Sequence, residues 1–195
     1  GKCATGGEIS VVKGWNHNGV RLDGSVGKSF AYGAQGGFFI VQGDADTRAC
    51  IRLSGADVVF GGEVKAHLRD DDGGLGARAN LKGYAFEYMT SGRALVLGDP
   101  GPWMCAGMTG GVIYQRVQPE VGLTVDAIQR RIAEGSVVEV FLLDDAGIRD
   151  VKEMLQRYIE VLENNHQAEA TGHLYRLLER PQDHFVKISP PARIN

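Results

Sequence analysis

A chain of 195 residues with 43% hydrophobic residues is long enough to bury a substantial core, as one domain or as one domain with an appendage. Its formal charge of −3 gives no general attraction to nucleic acid or anionic membranes. No run approaches ~18 apolar residues and no charged-then-apolar leader opens the chain, so the expectation is a cytoplasmic protein with neither nucleic acid nor membrane as partner.

Glycine organises the first part of the chain. There are 28 glycines, roughly twice ordinary usage, and most precede residue 112. Gly24, Gly43 and Gly62 are evenly spaced, and the same step separates Gly36, Gly55 and Gly74, and again Gly73, Gly92 and Gly111. Met89-Thr90-Ser91-Gly92 returns one such step later as Met108-Thr109-Gly110-Gly111. Between the glycines stand short β-type runs, Phe38-Phe39-Ile40-Val41, Val58-Val59-Phe60, Ala94-Leu95-Val96-Leu97 and Val112-Ile113-Tyr114. This pattern predicts a mainly β fold: a right-handed parallel β-helix, a single-stranded solenoid of about five coils and about 19 residues per coil, with glycine at each corner. A flexible linker would lack the apolar runs, and a β-sandwich would lack the constant step.

The motifs inside this stretch carry little chemistry. Gly27-Lys28-Ser29 resembles the end of a phosphate-binding loop, but the required glycine five positions earlier is Leu22. Gly74-Leu75-Gly76-Ala77-Arg78-Ala79 matches a dinucleotide pattern without the preceding strand or following helix. Asp70-Asp71-Asp72 lacks the alternating oxygen ligands of a calcium loop and reads as a solvated turn. Cys3, Cys50 and Cys105 are odd in number and outside any CxxC, so they read as reduced thiols, with Cys50 and Cys105 pointing into the core. The five histidines form no HxxxH or HExxH pair. No catalytic residue, cofactor site or metal site is expected.

After Val117 the pattern changes. Thr124 can cap a helix over 124–134 with Val125, Ile128 and Ile132 on one side and Gly135 at its exit. Residues 136–143 read as a strand that closes the last coil. Ile148, Val151, Met154, Leu155, Tyr158, Ile159 and Leu162 form the apolar stripe of a long helix. Thr171 can cap another helix, with Leu174, Leu177 and Leu178 inward and Pro181 stopping it, and residues 185–190 end the ordered chain as an extended segment. The chain thus divides into a β-helix domain, 1–143, with a capping helix at 124–134, and a helical appendage with an extended tail, 144–195.

The glycine ladder, Glu87-Tyr88-Met89-Thr90, Ala106-Gly107-Met108-Thr109-Gly110-Gly111, the helix starting at Thr171-Gly172-His173 and the closing Phe185-Val186-Lys187-Ile188-Ser189-Pro190 together resemble the GXGXG domain at the C-terminal end of the large subunit of glutamate synthase. The resemblance runs from about Gly19 to Pro190, with one departure. Where the family carries a Gly-Asp-His-Gly-Cys run before Glu-Tyr-Met-Thr, this chain reads Lys82-Gly83-Tyr84-Ala85-Phe86.

The resemblance implies a non-catalytic scaffold that holds two partners in register for ammonia transfer: a class II glutamine amidotransferase subunit and an FMN- and iron–sulfur-containing synthase subunit. It also implies a free-standing subunit of the split glutamate synthase or N-methylglutamate synthase type, with excision from a longer chain left open by the start at Gly1. The β-helical subunit of formylmethanofuran dehydrogenase, or of the formyltransferase/hydrolase complex, is the alternative; it resembles only the ladder and not residues 145–190. Class II glutamine hydrolysis uses an N-terminal cysteine, and Cys3 is not terminal, so the isolated chain is expected neither to hydrolyse glutamine nor to bind FMN. Tyr88, Met89, Met108 and Thr109 are the candidate docking face, by their place in the matching segment and because methionine adapts to contact surfaces. Met89 and Met108 read equally well as neighbours stacked inside the core.

Overall fold

Each apolar run of the sequence becomes a strand of one sheet. The computed structural model describes residues 1–15 and 17–192. Its strands are β1 (Thr5–Val11), β2 (Gly14–Trp15), β3 (Arg21–Leu22), β4 (Gly36–Val41), β5 (Ser54–Phe60), β6 (Ser91–Val96), β7 (Val112–Arg116), β8 (Glu139–Leu142) and β9 (Phe185–Ser189). The helices are α1 (Val125–Gln129), α2 (Asp145–Asn164) and α3 (Gly172–Glu179). Seven strands lie in the order β1-β4-β5-β6-β7-β9-β8, while β2 and β3 form a separate hairpin. The first four pairings are parallel; β9 runs antiparallel to both β7 and β8.

The expected β-helix of equal coils is corrected by this architecture. The chain is an α/β fold around a mixed, mostly parallel seven-stranded sheet, about 24% helical and 26% strand, and not a mainly β solenoid. Two causes are visible in the register. First, the step is not constant: Val11 pairs with Val41, Phe38 with Asp57, Asp57 with Arg93 and Arg93 with Val112, so the first and third steps are far longer than the second and fourth. The extra residues leave the sheet as the β2–β3 hairpin and as a segment between Phe60 and Ser91 that carries a 3-10 turn at Asp70–Asp72. Second, the sheet is buried on both faces. Phe39, Val41, Val58, Phe60, Ala94, Val96 and Ile113 point into one core cluster, and the alternate residues Phe38, Ile40, Val59, Leu95 and Tyr114 pack with α2 and α3 in another. Burial on both faces explains why the strands read as continuous apolar runs instead of alternating ones.

The helices confirm the stripe of α2. Val151, Met154, Leu155, Tyr158, Ile159 and Leu162 are buried against the sheet, and Asp144 caps the first turn by accepting from Gly147 N at 2.7 Å. Thr124 caps α1 through a 3.2 Å bond from Ala127 N, yet α1 is shorter than its pattern predicts. Its continuation is drawn into extended pairing: Met104 N donates to Arg131 O, and Ala133 N donates to Met104 O, both at 2.8 Å. The Thr171 hydroxyl does not cap α3; it donates to Ala168 O at 2.8 Å. The expected 136–143 strand is β8, at the sheet edge, and the strand that joins the parallel ladder is β9 from the chain's end. Arg93 clamps sheet to helix, donating to Asp57 on β5 and to Asp150 and Glu153 on α2 at 2.6–2.9 Å.

Candidate functional site: an aromatic and arginine face on a second ladder

Opposite the sheet, four short segments stack without forming regular strands. They are residues 29–33, 48–52, 84–88 and 103–107, and they follow the same short, long and short steps as β4 to β7. In each, alternate residues adopt the left-handed conformation: Ser29, Ala31 and Gly33; Arg48, Cys50 and Arg52; Tyr84, Phe86 and Tyr88; Trp103, Cys105 and Gly107, all with φ between 54° and 64°. Their amides bond across layers, as in Cys50 N to Phe30 O, Phe86 N to Ala49 O, Cys105 N to Ala85 O and Tyr88 N to Ala106 O, at 2.8–2.9 Å. Such a conformation is unusual for residues with a Cβ, costs of order 1–3 kcal/mol each and persists only where the surroundings over-determine it. The interlayer bonds are what hold it here.

Alternation sorts the side chains. Ala31, Cys50, Phe86 and Cys105 turn inward and are wholly buried, and Phe30, Phe60 and Phe86 meet edge to face at centroid distances of 6.3–6.4 Å. Burial pushes the Cys50 and Cys105 thiols well above their ordinary range, so neither is a thiolate. The outward columns carry Arg48, Tyr84 and Trp103, and beside them Arg52 and Tyr88. Tyr84 is 39% exposed, and Tyr88 and Trp103 are each 53% exposed. The Tyr84 and Trp103 rings stack at 5.0 Å with planes 22° apart. The Arg52 guanidinium stands over the Tyr88 ring at 5.9 Å. Tyr88 in turn lies across Gly107, where a Cβ would come within 2.6 Å of its ring, so glycine at 107 seats the tyrosine.

Of the docking residues expected from sequence, Tyr88 is on this surface and Thr109 is exposed just beyond the last segment, whereas Met89 and Met108 stack with Leu53 inside the core at 0% exposure and are not available to a partner. Their inward direction follows from their place in the column Ala34, Leu53, Met89 and Met108, which is buried in every layer. The departure from the family's polar run also falls here: Tyr84 supplies half of the stacked pair, and Phe86 fills the core.

The corner glycines occupy two columns. Gly24, Gly43, Gly62 and Gly98 stack at one corner, where a Cβ on Gly62 would stand 2.7 Å from Gly43 O. Gly36, Gly55, Gly92 and Gly111 stack at the start of the strands. Gly73 and Gly74 stand outside both, because the segment holding Asp70–Asp72 leaves the sheet.

Beside the first column runs a polar ladder that the sequence reading missed. Asp44 N donates to Ser25 Oγ at 2.9 Å, Asn80 Nδ2 donates to Asp44 Oδ1 at 2.7 Å, and Asp99 N donates to Asn80 Oδ1 at 2.9 Å. The ladder ends on Arg131, which is 0% exposed and forks between two carboxylates: Asp99 at 2.5 and 2.8 Å, and Asp70 at 2.7 and 2.9 Å. The Arg131 hydrogen bonds hold the Asp70 carboxyl below its ordinary range against the opposing effect of burial. The equal spacings Ser25–Asp44 and Asn80–Asp99, each one step of the glycine ladder, were the available signal. At the open end of the ladder, Lys13, Lys65 and Arg78 face Asp23, Asp44 and Glu63 across a cavity of about 350 Å³, leaving no net sign to select an ion. Cys3 is exposed, and its amide donates to Tyr32 O. Among the described residues no helix is long and apolar enough to cross a membrane.

A family model described as the GXGXG motif matches residues 78–191. The chain is 30% identical to the large chain of glutamate synthase [NADPH] from Bacillus subtilis over 194 residues, 97% of this chain and 11% of that protein. It is 34% identical to the ferredoxin-dependent glutamate synthase of Cyanidium caldarium over 139 residues, 67% of this chain and 8% of that one. Against the ferredoxin-dependent glutamate synthase of Pyropia yezoensis it is 30% identical over 177 residues, 87% of this chain and 9% of that one. The chain therefore spans about a tenth of the length of the curated relatives it matches.

Proposed function

Since the chain belongs to the GXGXG motif family, with the match covering more than half of it, we propose that it serves as the scaffold portion of a glutamate-synthase-type assembly. In this reading it holds a glutamine amidotransferase unit and an FMN- and iron–sulfur-containing synthase unit in register, so that ammonia passes between them. The observation that carries the proposal is the extent of the similarity: a glutamate synthase large chain aligns with 97% of this sequence, the α2, α3 and β9 portion included. That extent favours a glutamate-synthase-type role over the formylmethanofuran dehydrogenase alternative, whose resemblance stops with the ladder.

Two stacked ladders, one of strands and one of left-handed segments, give a frame cross-linked by hydrogen bonds between its layers. Such a frame suits holding two units at a constant separation. The test is reconstitution. Co-expressed with an amidotransferase unit and a synthase unit of the glutamate synthase type, this chain should co-purify with both and raise glutamine-dependent glutamate formation above that of the two units alone. If the two units assemble and reach the same rate without it, the scaffold reading is wrong. Glutamine hydrolysis by the purified chain, abolished by Cys3→Ala, would also overturn it.

A further inference from the structure

The outward columns of the second ladder hold bulky, part-exposed residues at positions where the backbone favours glycine. At left-handed positions glycine is the least strained choice, and the ladder uses it at Gly33 and Gly107. The inward residues Cys50, Phe86 and Cys105 are strained but wholly buried, so the core uses their side chains. Arg48, Arg52, Tyr84, Tyr88 and Trp103 share the strain and remain exposed. Side chains that carry this strain and still leave a large part of their surface in solvent point to a use outside the chain.

We infer that this face docks a segment of a partner protein that carries carboxylates on either side of an apolar side chain. The apolar side chain lies on the Tyr84–Trp103 stack, and the carboxylates reach Arg48 and Arg52. The inference rests on the docking role proposed above and adds the chemistry of the docked segment. Tyr, Trp and Arg are the residue types that dominate binding energy at protein interfaces, and here they stand together on a rigid support. The charge supports an acidic partner. Arg48 makes a 3.9 Å ion pair with Glu87, beyond hydrogen-bond reach, and Arg52 stands over the Tyr88 ring, so among the described residues neither guanidinium fork holds a bidentate carboxylate. An arginine and aromatic surface also suits single-stranded nucleic acid. Two exposed arginines, with Glu87 beside one of them, are too few to track a phosphate backbone, and the protein segment is the occupant favoured.

The direct test uses a dodecapeptide of repeating Glu-Leu-Glu-Pro, read by Trp103 fluorescence in a Trp15→Phe background. Binding is expected to shift the emission and to weaken at least tenfold in Arg48→Glu/Arg52→Glu. It should also weaken at least tenfold in Arg48→Gly/Arg52→Gly, whose Tm should be unchanged or raised because glycine relieves the left-handed strain; a merely structural role for the arginines would lower it. Lys152→Glu, on the exposed side of α2, should leave binding unchanged. No binding, equal binding of a Lys-Leu-Lys-Pro peptide, or tighter binding of a twelve-base oligothymidylate would overturn the inference. The second measurement is co-purification with the amidotransferase and synthase units. Failure of the unaltered chain to associate would sink the docking role, while full association of a folded Arg48→Glu/Arg52→Glu chain would sink this face alone.

Discussion

Replacing Arg131 by methionine should be among the most damaging single changes in the chain. The guanidinium has no exposed surface and makes five hydrogen bonds, two to Asp99, two to Asp70 and one to Ala127 O. These bonds join three segments distant in sequence: the excursion between β5 and β6, the turn after β6 and the chain after α1. Methionine fills most of the volume but leaves the Asp99 carboxylate buried with only the Gly101 amide, 2.8 Å away, as a donor beside it. Removing one member of a buried ion pair costs about 3–5 kcal/mol, most of it the penalty of the charge left behind. At about 2–4 °C per kcal/mol for a chain of this size, Tm should fall by roughly 6–20 °C. Differential scanning calorimetry measures this directly, and adding Asp99→Asn to Arg131→Met should restore part of the loss by removing the stranded charge. Because Asp70 loses its anchor, trypsin should also cut faster at Lys65, Arg69 and Arg78 in the variant. A Tm loss under about 2 °C, or no recovery in the double variant, would refute the argument that desolvated charge sets the cost.

Gly92→Val should destabilise by more than about 2 kcal/mol, since φ is +96° and a Cβ there would collide with Ala56 O; an unchanged thermal transition would rule out the corner role. Met108→Glu should prevent folding of the isolated chain, because it places a carboxylate at a position with 0% exposure; a soluble variant with native circular dichroism would contradict the inward placement. Stability should also fall in acid. Arg131 depresses Asp70 below its ordinary 3.8, and although burial pushes Glu63 up, His173 and Arg116 hold it below its ordinary 4.5. A depressed carboxylate stabilises the fold above its unfolded pKa, and that contribution is lost as pH falls through the folded value. Tm should therefore stay level from about pH 8 to 5 and drop below about pH 4, less steeply in Asp70→Asn/Glu63→Gln; a slope unchanged by the pair of substitutions would exclude these carboxylates as the source.

Several features are legible in the sequence because they are local. The runs at Phe38, Val58, Ala94 and Val112 carry their strand character in their own composition, and the stripe from Val151 to Leu162 carries its helix in its spacing. The family resemblance was legible in the order of short segments, whereas of Tyr88, Met89, Met108 and Thr109, read together as one face, Tyr88 and Thr109 alone are exposed. By contrast β1 was missed: Thr5-Gly6-Gly7-Glu8 has no apolar period, and the strand exists because Ile9 and Val11 find β4 beside them.

What composition and spacing determined, then, is which segments extend, which become helical, and that a 19-residue step relates β4 to β5 and β6 to β7. A hydrogen-bonding period and an apolar face are properties of neighbouring residues, and a sequence displays them directly. Tertiary structure alone decided that the step nearly doubles between β5 and β6, and that β9 inserts between β7 and β8. It also decided that Met89 and Met108 face the core while Tyr84 and Trp103 face out, and that Arg131 reaches Asp99 and Asp70. These outcomes depend on which distant surfaces meet once the chain has collapsed. A loop can absorb or release residues at small entropic cost, so spacing along the chain constrains such meetings only weakly, and shape, burial and charge at the point of contact settle them.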